Sequence, residues 1–317
     1  MYTCSRLLLE HVSPATAAPN VSPTAVNTAH QRRYRWIHGG RDVEIALSDS
    51  GGPGPAWLLL PALSTIASRS EWQPFCDAIA DQQQSSSARP RLISVDWPGF
   101  GESERPRLPY DAELLARFLA DFRRDCCPAD CGLIAAGHAA GIGLLASQRH
   151  GLALREWVLV APTWRGPFPT MARRRSRAFP LIRAVVEAPL LGPLLYRLNT
   201  SRSVLSWMSR RHVDVAGPGL TPEGISERQQ IARQPGARFA SAAFVSGGLD
   251  PYDDPQGWIT AARNLGAPLT VVVADQSPPK SLAEMQALAA VADWVLHLSG
   301  RLGAHEEFGR ELAAMLG

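Results

Sequence analysis

The sequence lacks the features that mark several large functional classes. No stretch approaches the roughly 20 apolar residues of a membrane-spanning helix. The longest apolar run near the start, Leu7, Leu8 and Leu9, is too short for the core of a secretory signal. Charge excess of one sign is small, 32 lysines and arginines against 29 acids, so no nucleic acid or other polyanion is implied as a partner. Five cysteines (Cys4, Cys76, Cys126, Cys127 and Cys131) are odd in number, and CysCysProAlaAspCys lacks the paired spacing and second half of a zinc site. They read as reduced structural thiols, and neither a metal nor a cofactor is expected. These absences point to a cytoplasmic protein and leave peripheral membrane contact open. Oligomeric state is not legible.

Residues 11–30 lack hydrophobic periodicity and are rich in Ala, Thr, Ser, Pro and Asn. Such a segment buries too little surface to offset the entropy of ordering, so residues 1–33 read as a disordered leader, with a transit-like function as the weaker reading. The remainder of the chain has a different character. With 317 residues, 45% of them hydrophobic, the chain can bury one large core. From residue 34, short apolar strands alternate with helical stretches, the pattern of an α/β fold with a largely parallel sheet between helices. A hairpin turned at Gly39 and Gly40 opens the series. Strands are expected over 56–61, 91–97, 131–137, 156–162, 269–274 and 294–298, with helices over 72–80, 110–124 and 306–315.

The alternation stops between 163 and 235, where helical periodicity is punctuated by Pro and Gly. This stretch reads as a helical cap dividing the core into 34–162 and 236–317. Up to position 217 the cap carries ten arginines (Arg165, Arg173, Arg174, Arg175, Arg177, Arg183, Arg197, Arg202, Arg210 and Arg211) against Glu187 and Asp214. Apolar runs such as ProLeuLeuGlyProLeuLeuTyr lie among them. A solvated face, an anion site and a membrane-surface patch are all compatible with that mixture.

Chemistry-bearing residues cluster around 132–147, where an apolar strand meets an abrupt turn and then a helix. Gly137 and Gly141 flank Ala139 with the spacing of a nucleophile elbow, in which glycines let strand and helix approach around a strained tip residue. One strand upstream lies AspTrpProGlyPheGlyGluSerGluArgPro (96–106), and GlyAlaHisGluGlu (303–307) comes after the last strand. Together these segments resemble the α/β-hydrolase superfamily over residues 34–317. ProAlaLeuSerThr, GlyHisAlaAla, AlaProThrTrpArgGlyPro and ProProLysSer-x-AlaGluMet look more narrowly like uncharacterised cyanobacterial and chloroplast α/β-hydrolase-like proteins, a resemblance that implies alanine at the tip as a natural trait.

The resemblance implies a role for each matching position. Ala139 stands at the nucleophile position without a nucleophilic atom. Leu63, after the third strand, and Ala140, after the tip, supply oxyanion-hole amides, which do not depend on their side chains. His305 matches the base. The acid normally comes after the seventh strand near Ser277, and the nearest carboxylate is Asp275, two places early and, with Gln-Ser-Pro-Pro following, read first as a turn residue. His138 reads as packing beneath the turn and Asp250 as a turn or capping residue.

Without a hydroxyl at the tip the acyl-enzyme route is closed. Three functions remain. One is a pseudoenzyme binding a small apolar or acyl-type ligand between core and cap. Another is a hydrolase or lyase that uses His305 and the oxyanion amides without serine. The third is a peripheral protein whose basic cap docks on anionic lipid.

Overall fold

A computed structural model describes residues 30–82, 89–172, 176 and 178–316. Its frame is an eight-stranded sheet: β1 (His30–His38), β2 (Arg41–Asp49), β3 (Ala56–Leu60), β4 (Arg91–Val95), β5 (Gly132–Ala136), β6 (Trp157–Val160), β7 (Leu269–Ala274) and β8 (Trp294–Leu298). The strands lie in the order β1-β2-β4-β3-β5-β6-β7-β8. β2 pairs antiparallel with β1 and β4, and from β4 to β8 all pairings are parallel. The α/β fold expected from the sequence is therefore present, as an α/β-hydrolase-type sheet.

Local chemistry explains the frame. Gly39 and Gly40 both have positive φ, 56° and 75°, which lets two residues close the β1–β2 hairpin. Every residue of β5 and β6 is buried, as expected of strands covered on both faces, and their unbroken apolar runs made them legible. The leader boundary drawn at 33 falls late, because β1 already begins at His30. The rest of that segment, 1–29, lies outside the described residues.

Thirteen α-helices accompany the sheet among the described residues. In the first half are α1 (Gln73–Gln82), α2 (Ala112–Cys126) and α3 (Ala139–His150). Between β6 and β7 come α4 (Pro167–Ala172), α5 (Ala178–Glu187), α6 (Leu191–Asn199), α7 (Arg202–Met208), α8 (Pro222–Ala232), α9 (Ala237–Val245) and α10 (Pro255–Arg263). The C-terminal part adds α11 (Pro279–Ala289), α12 (Ala304–Glu307) and α13 (Gly309–Leu316). Helices α4 to α8 occupy the stretch 163–235. α1 packs on α13, while α3 packs between α2 and α10.

Five fully buried tryptophans, Trp36, Trp72, Trp97, Trp157 and Trp258, anchor the core. Each contributes roughly 4–6 kcal/mol of apolar burial as an upper bound. The helical stretch between β6 and β7 is fastened by a buried cation. Arg228 on α8 donates to Asp214 at 2.5 and 3.1 Å, to Ser209 Oγ at 2.9 Å and to Glu306 at 2.9 Å, joining α8 to the segment that carries His305.

Candidate functional site

The turn after β5 is built from small residues. β5 ends at Ala136, and the chain reverses at Gly137, whose φ is 52°. Gly137 N–H donates to Val160 O (2.9 Å), and its carbonyl accepts from Thr163 N–H (3.0 Å) and Ala140 N–H (3.2 Å). His138 already has right-handed backbone angles, φ −69° and ψ −19°, and Ala139 is the first residue of α3. The left-handed backbone thus belongs to Gly137, two residues before the expected tip, Ala139. Glycine adopts left-handed φ at no steric cost, so the chain turns at the first glycine beyond the strand and leaves Ala139 helical. Neither residue carries a hydroxyl, thiol or carboxylate.

Ala62 connects the turn to the rest of the site. A methyl group built on Gly137 would lie 3.1 Å from Ala62 Cβ, so elbow and post-β3 loop meet closely here. Ala62 N–H donates to Glu71 Oε2 at 3.1 Å, and Ser68 N–H donates to Glu71 Oε1 at 3.2 Å. Ser68 caps the short turn Arg69–Trp72, with Glu71 completing a reciprocal capping box. Glu71 Oε2 also accepts from His305 Nε2 at 2.8 Å. The imidazole rests against Trp72, with ring centroids 5.2 Å apart. Elbow, post-β3 loop and post-β8 segment are therefore joined in sequence through Gly137, Ala62, Glu71 and His305.

The candidate residues fare differently. His305 is buried, and its Nδ1 makes no hydrogen bond among the described residues. Its carboxylate partner is Glu71. Asp275 instead accepts from His297 Nδ1 at 2.8 Å, with both side chains at the surface. No hydrogen bond joins Asp275 to His305 among the described residues. Ser277, near the usual place of the acid, buries its hydroxyl without a hydrogen bond among the described residues. Leu63 is buried beside Ala62, and the Ala140 amide is engaged by Gly137 O, so it serves the turn rather than a vacant oxyanion position.

A second buried histidine sits on the other side of the turn. His138 Nε2 donates to Leu249 O at 2.8 Å and lies 4.0 Å from Asp250 Oδ1, with its ring against the edge of Phe244. Burial lowers its pKa, while Asp250 and the Leu249 carbonyl act in the opposite direction. Asp250 also accepts from Gly166 N–H at 2.7 Å, tying the segment after β6 to the loop after α9. Behind the post-β3 loop, Asp96 is completely buried and accepts from Arg69 N–H, Arg69 Nη1 and Glu102 N–H at 2.5, 2.5 and 2.7 Å. Burial raises the Asp96 pKa against the lowering effect of Arg69.

Sequence reasoning missed Glu71 and Arg69. The signal for Glu71 was present, because Ser68-Arg-Ser-Glu71 has the Ser-x-x-Glu spacing of a capping box. Nothing in that spacing showed that the same carboxylate would meet His305 from 234 positions away. Among the described residues, no group of three or more His, Cys, Asp or Glu side chains is placed to hold a metal ion.

A mostly parallel sheet in this strand order, an elbow after β5 and a buried histidine after β8 define a protein of the α/β-hydrolase fold. The model of the alpha/beta hydrolase family matches residues 36–314, and the chain belongs to that family. Solved structures agree on the fold. The serine hydrolase CarC, involved in carbazole degradation, superposes with a TM-score of 0.63 at 17% identity, covering 90% of this chain and 97% of that one. Cfl2 from Burkholderia cenocepacia gives 0.64 at 20% identity, with 90% and 94% covered. A membrane phospholipase A described as a bacterial virulence factor gives 0.63 at 20%, with 92% and 86% covered. No curated protein matched the sequence.

Proposed function

We propose that this protein is a family member without serine-hydrolase chemistry, one that binds a small molecule where cap meets core. The carrying observation is the occupant of the strained turn: glycine at 137, with alanine at 139. With no oxygen or sulfur at either position, an acyl-enzyme has no atom on which to form. Serine enzymes stripped of a triad member keep only about 10³ to 10⁴ over the uncatalysed rate. The resemblance to proteins with alanine in this segment supports the same reading.

The occupied surroundings support it further. Glu71 takes the Ala62 amide beside the elbow and also holds His305. A groove of about 350 Å³ lies instead between the post-β3 segment and α8, lined by Ser48, Ser94, Arg69 and Trp72 from the core and by Gln230 and Ile231 from the cap. Its lining favours a ligand of mixed polarity over a purely acyl one.

The His305–Glu71 pair favours one competing reading, a serine-free enzyme in which His305 moves a proton. Burial of His305 and occupation of its Nε2 by Glu71 weigh against it. Labelling of the purified protein with a fluorophosphonate probe tests the main reading, and no covalent adduct is expected. A stoichiometric adduct on any serine would overturn it. For the ligand, Ile231→Trp is expected to abolish thermal shifts produced by members of a small-molecule panel, and shifts that survive this substitution would place binding elsewhere.

A further inference from the structure

The cap presents a surface that the elbow does not explain. In α5 no residue is buried, although the helix contains Leu181, Ile182 and Val185, all exposed. α6 is inverted relative to an ordinary surface helix. It turns Gly192 and Tyr196 inward, where Tyr196 Oη bonds Ser241 on α9 at 3.1 Å, and leaves Leu191, Leu194, Leu195 and Leu198 exposed. Between the helices Leu190 is 88% exposed, and on α7 Trp207 is 58% exposed. A run of exposed leucines on this scale is uncommon on a monomeric soluble protein and marks an interaction surface.

We propose that α5, α6 and α7 dock this protein onto an anionic lipid surface, with the exposed leucines and Trp207 entering the acyl boundary while arginines meet the headgroups. Charge selects this occupant. Residues 163–217 hold ten arginines and two acids. Both acids are consumed internally, Glu187 by Arg183 at 2.6 Å and Asp214 by Arg228 at 2.5 Å. Arg197, Arg202, Arg210 and Arg211 are exposed on or beside the same helices. Leucine and tryptophan interleaved with uncompensated arginine is the composition of helices that lie in a membrane interface.

Geometry selects lying over spanning. No single helix is long and apolar enough to cross a membrane, and α5 with α6 pass as a pair only when a 104° bend between them is ignored. The ten residues of α5 extend about 15 Å, half of a bilayer's hydrocarbon core. A bent pair with Leu190 at the corner suits shallow insertion of the bend. This inference is independent of the ligand reading, since the groove lined by Trp72 and Ile231 shares no residue with α5, α6 or α7.

The test is co-sedimentation of the full chain with vesicles of phosphatidylcholine alone or of phosphatidylcholine mixed with phosphatidylglycerol. Binding to the phosphatidylglycerol vesicles is expected, with a blue shift of tryptophan emission, and it should weaken as salt rises. Leu190→Glu with Leu194→Glu is expected to weaken binding about tenfold or more without changing the melting temperature, because both side chains are already exposed. Arg210→Gln with Arg211→Gln should weaken binding to phosphatidylglycerol vesicles about tenfold and flatten the salt dependence. Absence of binding, equal binding to both vesicle types, or undiminished binding by the leucine variant would overturn the proposal. A lipid-free dimer dissociated by the leucine substitutions would also overturn it, by assigning the face to a second copy of the chain.

Discussion

Glu71 Oε2 accepts from both His305 Nε2 at 2.8 Å and Ala62 N–H at 3.1 Å, so one carboxylate oxygen joins the segment after the last strand to the loop after β3. In a working triad the histidine faces a nucleophile on one side and an acid on the other. Here the hydrogen-bonded ring nitrogen meets an acid, and that acid also caps a turn. Such an arrangement serves as an internal brace as readily as a catalytic pair.

If it is a brace, removing it should cost stability. Glu71→Ala leaves His305 Nε2, Ala62 N–H and Ser68 N–H without their acceptor in a buried site, and the expected loss is about 3 kcal/mol. Urea denaturation measures it. His305→Ala alone should also destabilise, and the double variant should cost less than the sum of the two, because the residues share one interaction. Strict additivity would show that the contact carries no coupling.

Backbone angles at the elbow separate two registers that the sequence could not distinguish. Gly137→Ser puts a hydroxyl at the strained position, at a cost of about 1 kcal/mol for a left-handed non-glycine residue plus the close contact with Ala62. Ala139→Ser puts it in the first turn of α3; both positions are buried, so the backbone alone separates them. Weak fluorophosphonate labelling is therefore expected of Gly137→Ser and none of Ala139→Ser, with intact folding verified by circular dichroism. Labelling of Ala139→Ser alone would restore the tip to residue 139.

Most of the fold was legible because it rests on local patterns. The runs at 269–274 and 294–298 match β7 and β8 residue for residue, and Gly39-Gly40 marked the hairpin. The elbow was legible as a strand, turn and helix, but its register was not. Two glycines four residues apart fit the motif, whereas only the end of β5 determines which residue takes left-handed φ. His305 was found because its position after β8 is set by chain order. Glu71 was not, since its pairing with His305 depends on how two distant loops pack. The basic, apolar character of the stretch 163–217 was visible in composition, but the outward orientation of the α6 leucines depends on Gly192 and Tyr196 packing inward.

His138 should leave a signature in the pH dependence of stability. Burial holds its folded-state pKa below the ordinary value of about 6.5, so the folded protein binds this proton more weakly than the unfolded chain does. Unfolding then takes up a proton as pH falls below about 6.5, and the contribution of the neutral imidazole, complete above that pH, is lost progressively towards the depressed value. Asp96, Glu284 and Glu306 have the opposite sign, because burial raises their pKa values and stabilises their protonated forms in the fold. His212 is also depressed, by burial and by Arg211 and Arg301. All four groups are shared by the wild type and a His138→Gln variant, so a comparison of the two isolates His138. Unfolding free energies measured from pH 7.5 down to pH 5 should fall less steeply for His138→Gln below about pH 6.5, by up to about 1.4 kcal/mol per pH unit. Parallel curves would mean that His138 keeps an ordinary affinity for its proton, with Asp250 offsetting the effect of burial.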